Sequence, residues 1–161
     1  MAETTALEEK LGEVIGLAEA AQEAARKVEG LLGEDSRAEL LGEMESQSEE
    51  TARRAREVAE GRDGSAEAVL EQAEETRQEA VEMMESYLDE DSDGLDGFEF
   101  LIMAEAGEAG HWAILGKLNE RAGEKRVGEL VEWALPVQEE HLSRVRAASL
   151  ELAAAEDPEE S

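Results

Sequence analysis

The sequence lacks cysteine altogether, and it is poor in proline and in aromatic residues. Without cysteine the chain can form no disulfide, no thiolate-bound metal site and no thiol nucleophile. Its 161 residues include two prolines and 3% aromatics, whereas alanine, glutamate, leucine and arginine are abundant. This composition favours helices around a core of small side chains, so we expect one all-helical domain.

Positive charge is also scarce. Fifteen lysines and arginines face 43 aspartates and glutamates, which gives a net charge of −28. Such a surface repels phosphate groups and anionic lipids, so we expect neither nucleic acid nor a membrane as a partner. The acidic beginning of the sequence argues against a secretory signal, and the lack of an apolar run of about 18 residues argues against a membrane span. We therefore expect a cytoplasmic protein.

Hydrophobic periodicity divides the chain into five predicted helices. Apolar residues recur at intervals of three and four in segments separated by glycine-containing or acidic stretches. The expected helices cover 5–32, 37–60, 66–88, 95–122 and 125–155 within one domain, 1–161. Short connections pair helices 1 and 2, and helices 4 and 5, while helix 3 can carry the chain between the two ends. The pattern predicts a four-helix bundle of two antiparallel hairpins with an additional crossover helix.

The two histidines fall on the apolar stripes of helices 4 and 5. Steps of three and four residues on helix 4 give the stripe Leu101, Ala104, Glu108, His111, Leu115, Leu118 and Ala122. The corresponding stripe of helix 5 includes Gln138 and His141. Glu108 and His111 would share one face and could bind a cation together with His141. The alternative is a buried hydrogen-bond network that contains no metal.

The link before helix 4 partly matches a calcium-binding loop. From Asp89 onward, carboxylates occupy the first, third and fifth positions and a glycine occupies the sixth. The twelfth position, where such loops have glutamate, is Phe100, and Glu99 lies one residue early. We therefore favour an acidic turn that caps helix 4 over calcium bound between Asp89 and Glu99.

Three local stretches, together with the bundle pattern, resemble the ferritin-like superfamily. They are QSEETARRAREV at 47–58, EAGHWAILGKLNERAG at 108–123 and VEWALPVQEEHLSRV at 131–145. The resemblance is greatest to the YciF-like branch of bacterial stress-associated proteins, and in architecture it covers about 7–150. It implies a bundle with a dinuclear iron or manganese site and a link to oxidative or general stress. Metal-dependent oxidoreductase activity is allowed by the resemblance and is not required by the residues.

The resemblance also implies a set of ligand positions. It places one carboxylate on the first bundle helix, H-x-x-E on the second, E-x-x-E on the third and a carboxylate on the last. The matching positions here are Ala21 or Gln22, then Gln47 and Glu50, then Glu108 and His111, and finally His141. Because several of these residues differ from the family pattern, the remaining ligands suit one cation better than two.

The sequence-based prediction is therefore a ferritin-like protein that binds one divalent transition metal, iron, manganese or zinc, in its core. The predicted ligands are Glu50, Glu108, His111 and His141, and the predicted supporting hydrogen-bond partners are Gln22, Gln47, Glu105 and Gln138. The alternative is a non-catalytic bundle with a decayed metal site, acting as a scaffold or interaction protein. A homodimer that uses Ile15 and Leu17 of helix 1 is left open.

Overall fold

The computed structural model describes residues 3–160, which contain five α-helices and no β-strand. The helices are α1 (Ala6–Leu32), α2 (Ala38–Glu60), α3 (Ala66–Tyr87), α4 (Gly94–Ala122) and α5 (Lys125–Ala154). Each helix begins and ends within one residue of the range expected from the sequence. In this part of the chain, no helix has the length and apolar character needed to cross a membrane.

Local sequence explains where α1 and α4 begin and where α4 ends. Thr5 and Glu8 form reciprocal side-chain to backbone hydrogen bonds at the start of α1. Asp93 and Asp96 make the same pair of hydrogen bonds at the start of α4. Gly123 then ends α4 with φ of 64°, a left-handed conformation that glycine adopts without strain.

Four of the helices surround a common core in the order α1, α2, α5, α4. Contacts between neighbouring helices show their relative directions. As residue numbers rise along one helix, the residues that it contacts have falling numbers along its neighbour. The pairs are Glu19 with Arg56 and Arg26 with Glu45 between α1 and α2, and Glu43 with Arg144 and Glu57 with Arg126 between α2 and α5. The helices α1 and α2 are therefore antiparallel, and so are α2 and α5.

The helix α3 lies outside this bundle and packs mainly on α1. Gly12 and Gly16 of α1 permit the close approach, since a Cβ atom at Gly12 would lie 2.7 Å from Cβ of Gln72. A Cβ atom at Gly16 would clash with the backbone oxygen of Ala73. Only Val69, Ala73 and Met84 of α3 are buried. The helix runs parallel to α1 and carries the chain from one end of the bundle to the other.

The apolar core consists of two clusters at different levels of the bundle. The first cluster includes Leu11, Val14, Trp112 and Leu115. The second includes Val28, Leu41, Met44, Phe98, Leu101 and Val145. On each bundle helix the two clusters are separated by about two and a half to three turns, and these turns define the candidate site.

The fold changes which residues of α1 are accessible for the predicted dimer contact. Ile15 was expected at the helix edge, but it is fully buried because α2, α3 and α4 all pack on α1. Leu17 is half-buried. Ile15 therefore cannot form the predicted contact between copies, and a homodimer stays a prediction without that contact.

Candidate functional site

A layer of polar side chains crosses the bundle between the two apolar clusters. Its residues, here called the polar layer, are Ser48 and Thr51 of α2, Glu105 and Glu108 of α4, and Gln138 and His141 of α5. Glu105 is 2% exposed, Glu108 3% and His141 1%. On α1 the same level is occupied by the buried Ala18. Three helices thus direct polar groups into the interior, and the fourth leaves space for them.

The inward face of α4 differs from the expected stripe. Its buried residues from Leu101 onward are Leu101, Glu105, Glu108, Trp112, Leu115 and Asn119, with steps of four and three instead of three and four. Compared with the expected stripe, the helix is rotated about its own axis, because the large side chains of Trp112 and Phe98 are both fully buried. As a result, Glu105 joins Glu108 inside the bundle. The spacing Glu105-x-x-Glu108, set between Leu101 and Trp112, is the sequence signal that identifies this pair.

His111 lies at the boundary between α4 and α1 and not in the polar layer. Its side chain is 37% exposed, and its Nδ1 atom lies 3.0 Å from Lys10 Nζ and 3.3 Å from Glu13 Oε2. Partial burial, together with the positive charge of Lys10, lowers the pKa of His111. The expected pairing of His111 with His141 around one cation is therefore not found.

Glu50 also lies away from the polar layer. Its carboxylate faces the outside of α2 and forms ion pairs with Arg53 at 2.6 Å and Arg54 at 2.8 Å. Hydrogen bonds from Arg53 and then from Arg54 lower the pKa of Glu50. Two arginines on the same helix keep this carboxylate at the surface, and this corrects its expected place among the core ligands.

The predicted supporting residues are placed differently from one another. Gln138 belongs to the polar layer, and Gln47 reaches it from the more exposed side of α2. The Oε1 atom of Gln47 lies 2.5 Å from Nε2 of His141. Gln22 is half-buried on α1, and within residues 3–160 its side chain makes no hydrogen bond to the polar layer.

The contact with Gln47 indicates which ring nitrogen of His141 is the hydrogen-bond donor. Because Gln47 Oε1 can only accept a hydrogen bond, Nε2 of His141 donates it. In the neutral form of the ring, the other nitrogen, Nδ1, carries a lone pair. It lies 3.7 Å from Oε2 of Glu105, which is too long for a hydrogen bond.

Buried polar atoms without hydrogen-bond partners are concentrated at this level. They are Oε2 of Glu105, Oε2 of Glu108, Nδ1 of His141, both amide atoms of Gln138 and Nε1 of Trp112. Leaving one such atom unpaired costs about 1 to 3 kcal/mol. Native proteins rarely concentrate that cost in one place, so the layer is suited to a group that supplies the missing contacts.

The two buried carboxylates add an unbalanced charge. Burial, and then the negative charge of Glu105, raise the pKa of Glu108 well above its ordinary value. In the part of the chain that the structure describes, neither carboxylate forms an ion pair with a lysine or an arginine. The layer can therefore be neutralised by protons or by a bound cation.

The donor atoms of the layer are of the kinds that transition metals bind, namely carboxylate and amide oxygens and an imidazole nitrogen. As they stand, no three His, Asp or Glu side chains within residues 3–160 converge so as to hold a metal ion. A cation in this layer would therefore require its donor side chains to move closer together.

The acidic loop before α4 is organised by its own hydrogen bonds. Asp89 Oδ1 accepts a hydrogen bond from the backbone N–H of Asp91, and Asp93 caps α4 through the N–H of Asp96. These contacts agree with an acidic turn that starts the helix.

Comparison of the chain with protein-family models, with curated proteins and with solved structures finds no match.

Proposed function

We propose that this protein is a ferritin-like helical bundle that binds one divalent transition metal ion, iron, manganese or zinc, in the polar layer. The ligands are Glu105, Glu108 and His141, and Gln138 stands beside them. The observation that carries the proposal is the concentration of buried, unpaired donor atoms between two apolar clusters.

The arrangement of the helices supports the ferritin-like part of the proposal. Two antiparallel hairpins are joined by a helix that runs the length of the bundle, as the sequence resemblance implies. Glu105-x-x-Glu108 has the E-x-x-E spacing implied for the third bundle helix, three residues before the positions Glu108 and His111 that the resemblance assigns to it. His141 lies near the position implied for the last ligand. The first two bundle helices provide no buried carboxylate at this level, which limits the site to one cation.

His141 Nδ1 lies 3.7 Å from Oε2 of Glu105, and a cation between them would bond to both atoms in the neutral form of the ring. Metal bonds of about 2.0 to 2.2 Å can bridge this separation. The ion would also neutralise the carboxylates, which form no ion pair with a lysine or an arginine within residues 3–160. A bound transition metal supplies Lewis acidity and, if redox active, a source of electrons, while the apolar clusters keep bulk water away.

The proposal is tested by elemental mass spectrometry on protein purified without a histidine tag. The parent protein is compared with the double variant Glu105→Gln, Glu108→Gln and with the control Glu99→Gln, which alters an exposed residue of the same helix. We expect about one iron, manganese or zinc ion per chain in the parent and the control, and none in the double variant. Because binding to the folded state stabilises it, chelation should lower the melting temperature of the parent and the control only.

A parent protein that stays empty after incubation with each of the three ions would overturn the proposal. The polar layer would then be a hydrated hydrogen-bond network, and a scaffold or interaction role would replace metal binding. Metal retained by the double variant would place the ion elsewhere in the chain and would contradict the assigned ligands.

A further inference from the structure

A groove opens on the side of the molecule where α3 and α4 diverge. The two helices both lie next to α1, but within residues 3–160 they make little contact with each other. Gly12 and Gly16 hold α3 close to α1 at one end, and farther along α1 the small residues Ala20, Ala21 and Ala24 form the floor. The groove has a volume of about 360 Å³, which lies within the range of small-molecule sites.

The walls of the groove are mainly apolar. Met84 and Phe100 line its buried part, and Met83 and Met103 stand at its two lips, where both are about half exposed. Methionine side chains are flexible and polarizable, so such lips can adapt to ligands of different shape. The groove thus offers an apolar chain a place out of water.

Four glutamates and His111 line the groove, and one of these glutamates, Glu13, is paired with Lys10 and His111. Glu13 and Glu79 lie nearer its opening, and Glu105 and Glu108 form part of its inner wall. No lysine or arginine contributes to this lining. Both inner glutamates are more than nine-tenths buried. The Oε2 atom of each has no hydrogen-bond partner and is sealed from solvent, so other atoms of these two side chains border the groove.

We propose that the groove binds a small organic amine, with its apolar chain between α3 and α4 and its ammonium group at Glu105 and Glu108. The apolar walls select the chain, and the two inner glutamates, which no lysine or arginine of the lining neutralises, select the charge. An ammonium group can donate up to three hydrogen bonds, and carboxylate oxygens can accept them. A fatty acid would bring a second negative charge to the same wall and is excluded by repulsion.

The site goes beyond the proposed metal centre and shares two of its residues. The measurement therefore uses protein freed of metal by chelation, with the metal content verified first. Titration calorimetry compares n-octylammonium with 1-octanol, octanoate and ethylammonium at about 0.15 M salt, where surface charges are largely screened. These probes separate the contribution of the chain from that of the charge. We expect octylammonium to bind about tenfold more tightly than each of the others.

Variants locate the site. The double variant Glu105→Gln, Glu108→Gln removes both inner carboxyl groups, and Ala80→Leu narrows the groove from α3 without changing any charge. Each should weaken octylammonium binding about tenfold. The controls Glu99→Gln and Ala113→Leu alter exposed residues of α4 outside the groove and should bind as the parent does. Circular dichroism of every variant verifies that the helices are retained.

Equal binding of octanol or octanoate would overturn the proposal, because the groove would then accept any apolar chain. Equal binding of ethylammonium, or weaker octylammonium binding by the Glu99→Gln control, would show attraction by surface charge alone and would also overturn the proposal. The absence of octylammonium binding to the parent would contradict it directly. The metal proposal is tested separately. Because Ala80 lies on α3, outside the polar layer, that proposal expects Ala80→Leu to retain the metal content of the parent.

Discussion

The polar layer and the apolar clusters on either side of it are parts of one bundle, but they meet opposite physical demands. The clusters bury large side chains such as Phe98 and Leu101 with no polar atom to satisfy. The layer buries carboxylates and an imidazole whose hydrogen-bonding capacity is only partly used. Burial of apolar surface stabilises a fold, whereas burial of unpaired charge opposes it. The clusters therefore maintain the fold, whereas the layer lowers stability unless protons or a bound group neutralise it.

The largest expected effect comes from damage to an apolar cluster. Phe98 is completely buried at the start of α4, and Phe98→Ala should lower the free energy of unfolding by about 3 to 5 kcal/mol. The loss combines the transfer of the ring to water with the cavity left behind. Urea unfolding followed by circular dichroism measures it. A loss below about 1 kcal/mol would mean that the cluster is less well packed than its burial indicates.

The sequence predicted the helices well because the signals that define them are local. Each signal acts within a few residues of the helix boundary that it sets, as the Asp93 cap and Gly123 do for α4. The five helices could therefore be predicted from local sequence, including the periodic apolar residues. The peripheral place of α3 was also predictable, since few of its positions are apolar. The assignment to a ferritin-like superfamily remains a prediction.

The candidate site was harder to predict, because it depends on how each helix is rotated about its axis. Two stripes through Leu101 fit the spacing of α4 equally well, and they differ in whether Glu105 or His111 faces the interior. Only the packing of Trp112 against the other helices decides between them. Glu50 was predicted as a core ligand, but its carboxylate forms ion pairs with Arg53 and Arg54 outside α2. The position of Glu50 beside the apolar stripe did not reveal these partners.

A smaller effect on the free energy of unfolding, and of opposite sign, is expected from a substitution in the polar layer. In metal-free protein, Glu108→Gln removes a buried charge and should raise the free energy of unfolding by on the order of 1 kcal/mol near pH 8. The pKa of Glu108 is raised in the folded state, so the folded protein holds a proton that the unfolded chain has lost. The parent protein therefore loses stability as the pH rises from its ordinary pKa of 4.5 through the folded pKa.

The variant has no carboxyl group to titrate at this position, so its stability advantage over the parent should grow as the pH rises from the ordinary pKa of 4.5 towards the raised pKa of the folded state. Urea unfolding of both proteins in chelator, at several values of pH, measures this difference. The matched control is Glu99→Gln, which removes an exposed charge of the same helix and should show no such growth. An advantage that shrinks as the pH rises would contradict the raised pKa of Glu108.

The smallest effect is expected at His111, which the sequence grouped with His141 and the fold separates from it. His111 is partly exposed, and its neighbours Lys10 and Glu13 have flexible side chains that water can solvate in its absence. His111→Ala should therefore change the free energy of unfolding by less than about 0.5 kcal/mol. It should also leave the metal content of the parent unchanged, which elemental mass spectrometry measures. Loss of the metal in this variant would indicate that His111 is a ligand. It would favour the predicted stripe, with His111 inside the bundle, over the observed face of α4, with Glu105 inside.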